Sequence, residues 1–488
     1  MKNAEFRISQ AMFDELTAHL FPGDHDEHGA VIAAGICKSA RGIRFLGKKL
    51  FIARDGIEYV PGKFGYRALS ADFVAHTSNF CAQNRLCYFA IHCHGGTDAV
   101  SFSEVDTASH KRSYPALVDI TEGGPVGALV FARDAVAGEI WTPSKVYPLD
   151  YLTVVGLNHR RLYQAPQRSS TIPDNIYHRQ SLLFGARGQD TLKGSKIGII
   201  GMGGVGSLVN EWAARIGVGE IVAIDYDKLE PSNNSRVVGG TRWDAPECLL
   251  NSSLAALRAL GKRLSRYKVH VGRRVAKIAN PKIKYDAVVG SVVDQDVALK
   301  LKDADFVFLC ADSMQSRLVF NALVHQYLIP GVQIGAKVSV EDVSGDILDI
   351  FCVSRPVLPQ ANGGCLWCNQ LISPVKLEEE AVSDAQRKRQ AYVDDIAIHA
   401  PSVITLNALG AAQAMNEFLF SLVGLHDTDG QQPSYRMASP RARQWSKVKC
   451  DSRASCLHCG DGKSSVLGRG DRARLPCRAK RPNSSSSG

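Results

Sequence analysis

The sequence predicts an α/β chain: an N-terminal α/β domain, then a second α/β domain with a mostly parallel sheet. Three observations carry this. At 488 residues the chain exceeds a single ordinary core, since domains run to roughly 100–200 residues. Hydrophobic residues make up 45% and charged residues 22%, the balance of a packed globular protein. A short apolar run, Lys196 to Gly201, enters a glycine loop, then a helical pattern from Gly204 to Arg215, then a second apolar run, Glu220 to Asp225. That order is a βαβ unit.

In chain order, Ser9 to Leu20 reads as a helix, and Ala30 to Ile36, Leu86 to His92 and Gly127 to Phe131 read as strands. The stretch Gln164 to Asp174 (QAPQRSSTIPD) is rich in Ser, Gln and Pro, poor material for a packed element. The boundaries expected are therefore 1–160 for the first domain, 161–176 for a linker and 177–460 for the second domain, with 461–488 a basic disordered tail. Within the second domain, Phe306 to Cys310 and Val332 to Ile334 read as further strands, and Val403 to Leu422 as a helix.

Composition narrows the setting. No apolar run approaches about 18 residues, and the N-terminus MKNAEFRISQAMFDEL lacks a signal-peptide core. A cytoplasmic protein without membrane contact is expected. Thirteen cysteines, four of them in two CxxC pairs, point to metal binding rather than a disulfide framework in a reducing compartment. The net charge is +10, but from Asp461 onward seven Lys/Arg face two Asp, so half the excess sits in the tail. Nucleic acid is accordingly not expected as a partner.

Gly201-Met202-Gly203-Gly204-Val205-Gly206 follows a strand and opens a helix, which lets backbone N–H groups face phosphates. Asp225, nineteen residues past Gly206, is placed to accept from ribose hydroxyls. These two features fit an NAD dehydrogenase equally well. The polar run Asp225-Tyr-Asp227-Lys-Leu-Glu-Pro-Ser232-Asn233-Asn-Ser-Arg236 does not belong to a dinucleotide site. GxGGxGS, DxD and SNxxR together resemble the adenylation domain of the ThiF/MoeB/ubiquitin-activating family. Lys268, twelve residues before Asn280-Pro281, and Asp312 with Arg317 in VFLCADSMQSR extend the resemblance over most of residues 177 to 425, with Ser265 standing where the family has glycine. It implies a Rossmann-like fold that uses ATP and Mg²⁺ to adenylate the C-terminal carboxylate of a ubiquitin-like or sulfur-carrier protein. It also implies a homodimer in which Arg179 crosses to the partner site.

The chemistry asks for these residue types independently. A carboxylate attacking polyphosphate is anion meeting anion, so cations must offset the reacting and departing phosphates. Arg236 and Lys268 meet that need, and Asp312 at a strand's C-terminal edge would hold Mg²⁺. Gly201, Gly203, Gly204, Gly206, Asp225, Asp227 and Asn233 complete the expected nucleotide site.

Cys365-Leu-Trp-Cys368 and Cys456-Leu-His-Cys459 have the spacing of two knuckles around one tetrahedral Zn²⁺. A closed four-thiolate site has no open position, so it is structural. Relatives that form a thioester carry a cysteine in the crossover region. None lies between Cys368 and Cys450 here, so the chemistry is expected to stop at the acyl-adenylate or pass it directly to a partner.

In the first domain, His92-Cys-His94 puts two imidazoles on one strand face, and Ser103-Glu-Val-Asp106 adds a carboxylate. Two His, one Asp and a water make an open catalytic Zn²⁺ site. The pattern resembles the JAB/MPN (JAMM) metallopeptidases, which implies a cytidine-deaminase-like α/β fold, Glu27 in Glu-His-Gly29 as general base and Ser103 near the oxyanion. Gly95 replaces the usual Pro, and eight residues rather than seven separate His94 from Ser103. His28 and His110 are read as surface residues. The combined expectation is an adenylyltransferase coupled to a Zn²⁺-dependent (iso)peptidase acting on the same small protein. The alternatives are an NAD-dependent oxidoreductase and a non-catalytic scaffold for a ubiquitin-like protein.

Overall fold

The computed structural model describes residues 3–60, 67–167, 175–341, 346–381, 401–427 and 434–478. Two sheets organise the chain. The first contains nine strands: β1 (Asn3–Ser9), β2 (Gly29–Lys38), β3 (Gly42–Ile52), β4 (Cys87–Cys93), β5 (Val126–Phe131), β6 (Val136–Trp141), β7 (Val146–Pro148), β8 (Tyr151–Val155) and β9 (Arg160–Leu162). Their order is β7-β6-β5-β4-β2-β3-β1-β8-β9, with β1 parallel to β3 and β8, and β4 parallel to β5. Three helices accompany it, α1 (Gln10–Leu20), α2 (Ala71–Gln83) and α3 (Glu104–Ile120). Each starts on a serine whose hydroxyl accepts a first-turn N–H: Ser9, Ser70 and Ser103.

The second sheet comprises β10 (Lys196–Ile200), β11 (Glu220–Ile224), β12 (Lys284–Val288), β13 (Phe306–Leu309), β14 (Gly331–Val340), β15 (Ile347–Val357), β16 (Ser434–Ser439) and β17 (Gln444–Lys449). In the order β12-β11-β10-β13-β14-β15-β16-β17, the first five run parallel and the last three are added antiparallel. The helices here are α4 (His178–Gly194), α5 (Gly204–Arg215), α6 (Glu247–Leu250), α7 (Ala255–Leu264), α8 (Lys268–Ala279), α9 (Gln295–Ala298), α10 (Met314–Gln326), α11 (Pro374–Ala381) and α12 (Ile404–Val423). The chain leaves β10 toward β11 on one side and returns to β13 on the other. The C-terminal ends of β10 and β13 therefore form the switch point where open α/β sheets bind ligands.

The structure revises four expectations. Residues 461–478 are not a solvated tail: Leu467 and Leu475 are buried in a core that also contains Cys37, Leu46 and Leu309. Only residues 479–488 of the expected tail lie outside the described residues. The linker is shorter than 161–176, because β9 pairs with β8 and residues up to 167 are placed, while 168–174 lie outside the described residues. His28 and His110 are buried rather than superficial; His28 Nε2 bonds Asp24 at 2.9 Å and His110 Nδ1 lies 2.6 Å from Glu139.

Candidate functional site

The glycine loop sits at the switch point because its backbone must come very close to its neighbours. A Cβ on Gly206 would overlap the carbonyl of Gly201, and one on Gly201, where φ is +91°, would press on the Cys310–Ala311 backbone at 3.0 Å. Only glycine meets both conditions. The loop then opens α5, whose N-cap, Gly203, leaves the first-turn N–H groups without a side-chain cap.

Around it the polar run folds back. Asp225 Oδ2 accepts from Met202 N at 2.6 Å, and its Oδ1 accepts from Asp227 N at 2.8 Å. Burial raises the Asp225 pKa, and these two N–H bonds and Lys268 oppose it. Asp227 holds Lys268 Nζ at 2.7 Å. Ser207 Oγ on α5 accepts from Val238 N at 3.0 Å, which lays Arg236 beside the loop; its Cβ lies 3.5 Å from the place a Gly204 side chain would take. Asn233 is buried, its Oδ1 facing Glu230 N at 3.3 Å.

Asp312 lies exposed just beyond β13, on the chain segment that abuts Gly201. Its charge reaches Tyr226, whose hydroxyl pKa is raised by burial and by Asp227, Asp225 and Asp312 in turn. Arg236, Lys268 and Asp312 thus lie on three segments that meet the glycine loop or its Asp225–Asp227 partners. Arg317 also feels the Asp312 charge, but its Nη1 donates to Leu371 O at 2.9 Å and ties α10 to the segment before α11. Arg179 is exposed at the start of α4, and no hydrogen bond or ion pair links it to the loop among the described residues.

Sequence reasoning missed Glu380. Its carboxylate receives Met314 N at 2.8 Å and Gln315 N at 2.9 Å, capping α10 immediately after Asp312 from a position 66 residues downstream. It also missed Asn407 on α12, whose amide stands against Gly204. Neither belongs to a local pattern that could have been recognised.

In the first domain His94 lies one residue past the end of β4, yet its Nε2 is 3.2 Å from that of His92. Asp106 Oδ2 lies 3.5 Å from His92 Nε2 and 3.4 Å from His94 Nε2. Three ligands about 2.0–2.1 Å from a tetrahedral Zn²⁺ would be spaced about 3.3–3.4 Å, so this trio fits the ion. His94 Nδ1 faces Ser101 O at 3.1 Å, the outer contact that fixes a ligating imidazole. Burial opposes ionisation of Asp106, but hydrogen bonds from His92 and Ser103 hold its carboxyl well below the usual carboxylate range. Glu27 Oε1 is 3.7 Å from His94 Nε2, and burial raises its pKa against the pull of both histidines. Ser103 is committed to the α3 cap: its hydroxyl donates to Asp106 Oδ2 at 2.7 Å and accepts from Asp106 N at 3.1 Å.

Cys365, Cys368, Cys456 and Cys459 converge in a buried cluster, with Sγ pairs at 3.7 Å (365–456) and 3.6 Å (368–459). Four thiolates about 2.3 Å from one Zn²⁺ would be about 3.8 Å apart, so they too fit. Cys450 lies nearby, against Gly364, and burial raises its pKa, which disfavours the nucleophilic thiolate.

Comparison with known proteins bears on the second domain. Over 167 residues the chain is 28% identical to the molybdopterin-synthase adenylyltransferase of Escherichia coli K12, covering 34% of this chain and 59% of that one. Over 276 residues it is 23% identical to ubiquitin-like modifier-activating enzyme 5 of Drosophila grimshawi, covering 55% and 61%. The chain thus spans about three fifths of the length of these relatives. The crystal structure of E. coli MccB is similar over 60% of this chain and 75% of that one, with 18% identity and a TM-score of 0.43. The ThiF family profile matches residues 177–458, more than half of the sequence, and the chain belongs to the ThiF family.

Proposed function

We propose that the second domain adenylates the C-terminal carboxylate of a ubiquitin-like or sulfur-carrier protein. The observation that carries this is the chain of contacts from loop to cation: Met202 N to Asp225, Asp225 to Asp227 N, Asp227 to Lys268, with Arg236 beside Gly204. A terminal carboxylate oxygen attacks the α-phosphorus of ATP, the bond to the β-phosphate oxygen breaks, and pyrophosphate leaves with its electron pair. Lys268, released from Asp227, and Arg236 offset the charge on the phosphates. Asp225 keeps the Met202 N–H of the loop in place, and Asp312 would hold Mg²⁺ through an oxygen free of hydrogen-bond partners among the described residues. Arg179 would act from a second subunit of a homodimer. The names of the relatives support the substrate class.

The first domain is proposed to trim or release the same class of protein as a JAMM-type metallopeptidase. His92, His94 and Asp106 would hold Zn²⁺, which supplies an acidified water and a polarised carbonyl when bound. Glu27, its pKa raised by burial, is placed to take a proton from that water and return it to the leaving amine. Ser103 Oγ would have to leave Asp106 to face an oxyanion.

The test is ATP–pyrophosphate exchange with small proteins ending in Gly-Gly, beside cleavage of the same proteins carrying C-terminal extensions. Exchange abolished by Lys268→Ala but kept in His92→Ala, and cleavage with the opposite pattern, is expected. Failure of every such protein to support exchange would remove the adenylation reading; cleavage unaffected by His92→Ala would remove the second.

A further inference from the structure

The positive charge of this protein is concentrated in one stretch, of which the proposed adenylation site uses only Lys268. Between Glu247 and Asp286 the sequence has ten Lys/Arg and no Asp or Glu, so this one stretch carries a charge equal to the net +10 of the whole chain. It folds into α7, α8 and the start of β12, at the edge of the second sheet. Three of the ten reach a carboxylate: Lys268 binds Asp227, while Arg266 and Arg274 share Asp244 at 3.4 and 2.6 Å. The other seven have no carboxylate partner among the described residues.

On α8 the charges are ordered. His270, Arg273, Arg274 and Lys277 fall at i, i+3, i+4 and i+7, one face of the helix, and with Arg266 they line a surface cleft of about 410 Å³. Lys268, two residues before His270, is turned about 200° away toward the nucleotide loop, so the stripe is separate from that site. Asp244 does not neutralise the cleft. It fixes two guanidinium groups in it, and Arg274 is held a second time by Gly239 O at 2.7 Å. Four permanent cations line the cleft, and a single carboxylate pairs two of them.

Beside Asp244 stands Trp243, 93% exposed. Its indole, one residue from the carboxylate that fixes two of the cleft's arginines, leaves a face open on which a flat ring can stack. Along α8 the stripe rises about 10 Å, so its cations can face successive phosphates of one strand. Cations spaced along a groove with an aromatic platform at its side match the chemistry of a single-stranded nucleic acid, phosphates against the arginines and a base on the ring. Self-association through this face is opposed by its own charge, since a two-fold interface would set the stripe against itself.

We infer that the α8 face, with Trp243, binds the backbone and a base of single-stranded nucleic acid. The probe is a fluorescein-labelled 20-nucleotide strand of mixed sequence, as RNA and as DNA, titrated with the full-length protein and followed by anisotropy. Neutralising about four phosphates predicts that affinity falls about 50-fold between 50 and 200 mM KCl. Arg273→Glu with Lys277→Glu should weaken binding at least tenfold and flatten the salt dependence. Trp243→Ala should weaken it about tenfold with the salt dependence unchanged, because stacking is not ionic. Binding of either strand in this pattern supports the site, and the tighter one names the sugar. Unaltered melting of the variants shows that they fold.

Three results overturn the inference: no binding at 50 mM salt, binding indifferent to the α8 substitutions, or displacement by polyglutamate with Trp243→Ala without effect. The last would make the occupant an acidic polypeptide. Pyrophosphate exchange is read from different residues, so failure here leaves the adenylation proposal standing.

Discussion

Asp305→Asn should destabilise the protein far more than its modest size change suggests. Asp305 is buried at the junction of the two domains, where Arg7 Nη2, Arg44 Nη2 and Arg41 Nη1 reach its oxygens at 2.8, 2.7 and 2.8 Å, and Lys196 N at 2.9 Å. Glu5, also buried, accepts from Arg7 Nε and Arg44 Nε at 2.6 Å each. Asparagine keeps the shape but removes a charge, leaving three arginines to one carboxylate and turning an amide N–H₂ toward a guanidinium. Removing one partner of a buried ion pair costs about 3–5 kcal/mol, because the other charge stays buried and uncompensated. With an unfolding entropy of about 2.1 cal/mol/K per residue, a chain of this length loses about 1 °C per kcal/mol, so the melting temperature should fall by about 3–5 °C. The control is Asp286→Asn, which breaks the Lys300–Asp286 pair, also at 2.8 Å but with both side chains nearly half exposed. It should move the melting temperature by no more than about 1 °C, as exposed pairs contribute about 0–1 kcal/mol. Scanning calorimetry reads both. An Asp305→Asn protein melting with the wild type would refute the claim that burial sets the value of this cluster.

Glu5 predicts a pH window. Burial pushes its pKa up, but Arg44 and Arg7 outweigh burial and bring it from 4.5 to about 2. A carboxyl depressed in the folded state stabilises above its unfolded value, so about 3 kcal/mol should be lost as pH falls from about 4.5 toward 2. Urea midpoints across that range should fall less steeply in Glu5→Gln than in the wild type, the remaining slope coming from Asp305 and the other depressed carboxyls. Metal analysis of the purified protein should find two zinc ions per chain, with Cys456→Ser losing one and His92→Ala the other; a single substitution that empties both would contradict two independent sites. Gly206→Ala should fold poorly, since a Cβ there meets the Gly201 carbonyl, whereas Gly203→Ala, with nothing within 4 Å, should melt within about 1 °C of the wild type.

What could be read from sequence is what chain-local chemistry dictates. The glycine loop was legible because Gly201 and Gly206 satisfy constraints only a few residues apart. His92 and His94 were legible because alternate residues of a strand share a face, and Asp106 because Ser103-Glu-Val-Asp106 follows them in the JAMM-like pattern. Asp305 was not legible. It is one of two acidic residues in KDADF, and its partners Arg7, Arg41 and Arg44 lie 298, 264 and 261 positions away. Glu380 is hidden for the same reason. In residues 461–478, Leu467 and Leu475 are too sparse to give any periodicity, and their burial is decided by surfaces elsewhere in the chain.

Those last residues matter for how two heads could serve one small protein. Asp471 N donates to Ile36 O at 2.7 Å and Lys38 N donates to Asp471 Oδ2 at 2.9 Å, while Gly468 N and Gly470 N donate to His325 O and Gln326 O at 2.9 and 2.8 Å. One short segment is therefore bonded to β2 of the first sheet and to the end of α10 in the second domain. A Cβ on Gly35 would strike the 468–469 backbone, so this approach is as close as glycine permits. Cys37 and Leu46 share a core with residues of β10, β11 and β13, and the Asp305 cluster lies buried at the same junction. A hinge between the heads would have to open that core and strip Asp305 of its arginines at once, a cost of several kcal/mol. Under the proposed reading, then, the heads do not swing toward each other. The small protein's own extended C-terminus, which gains about 3.3–3.6 Å of reach per residue, has to do the travelling.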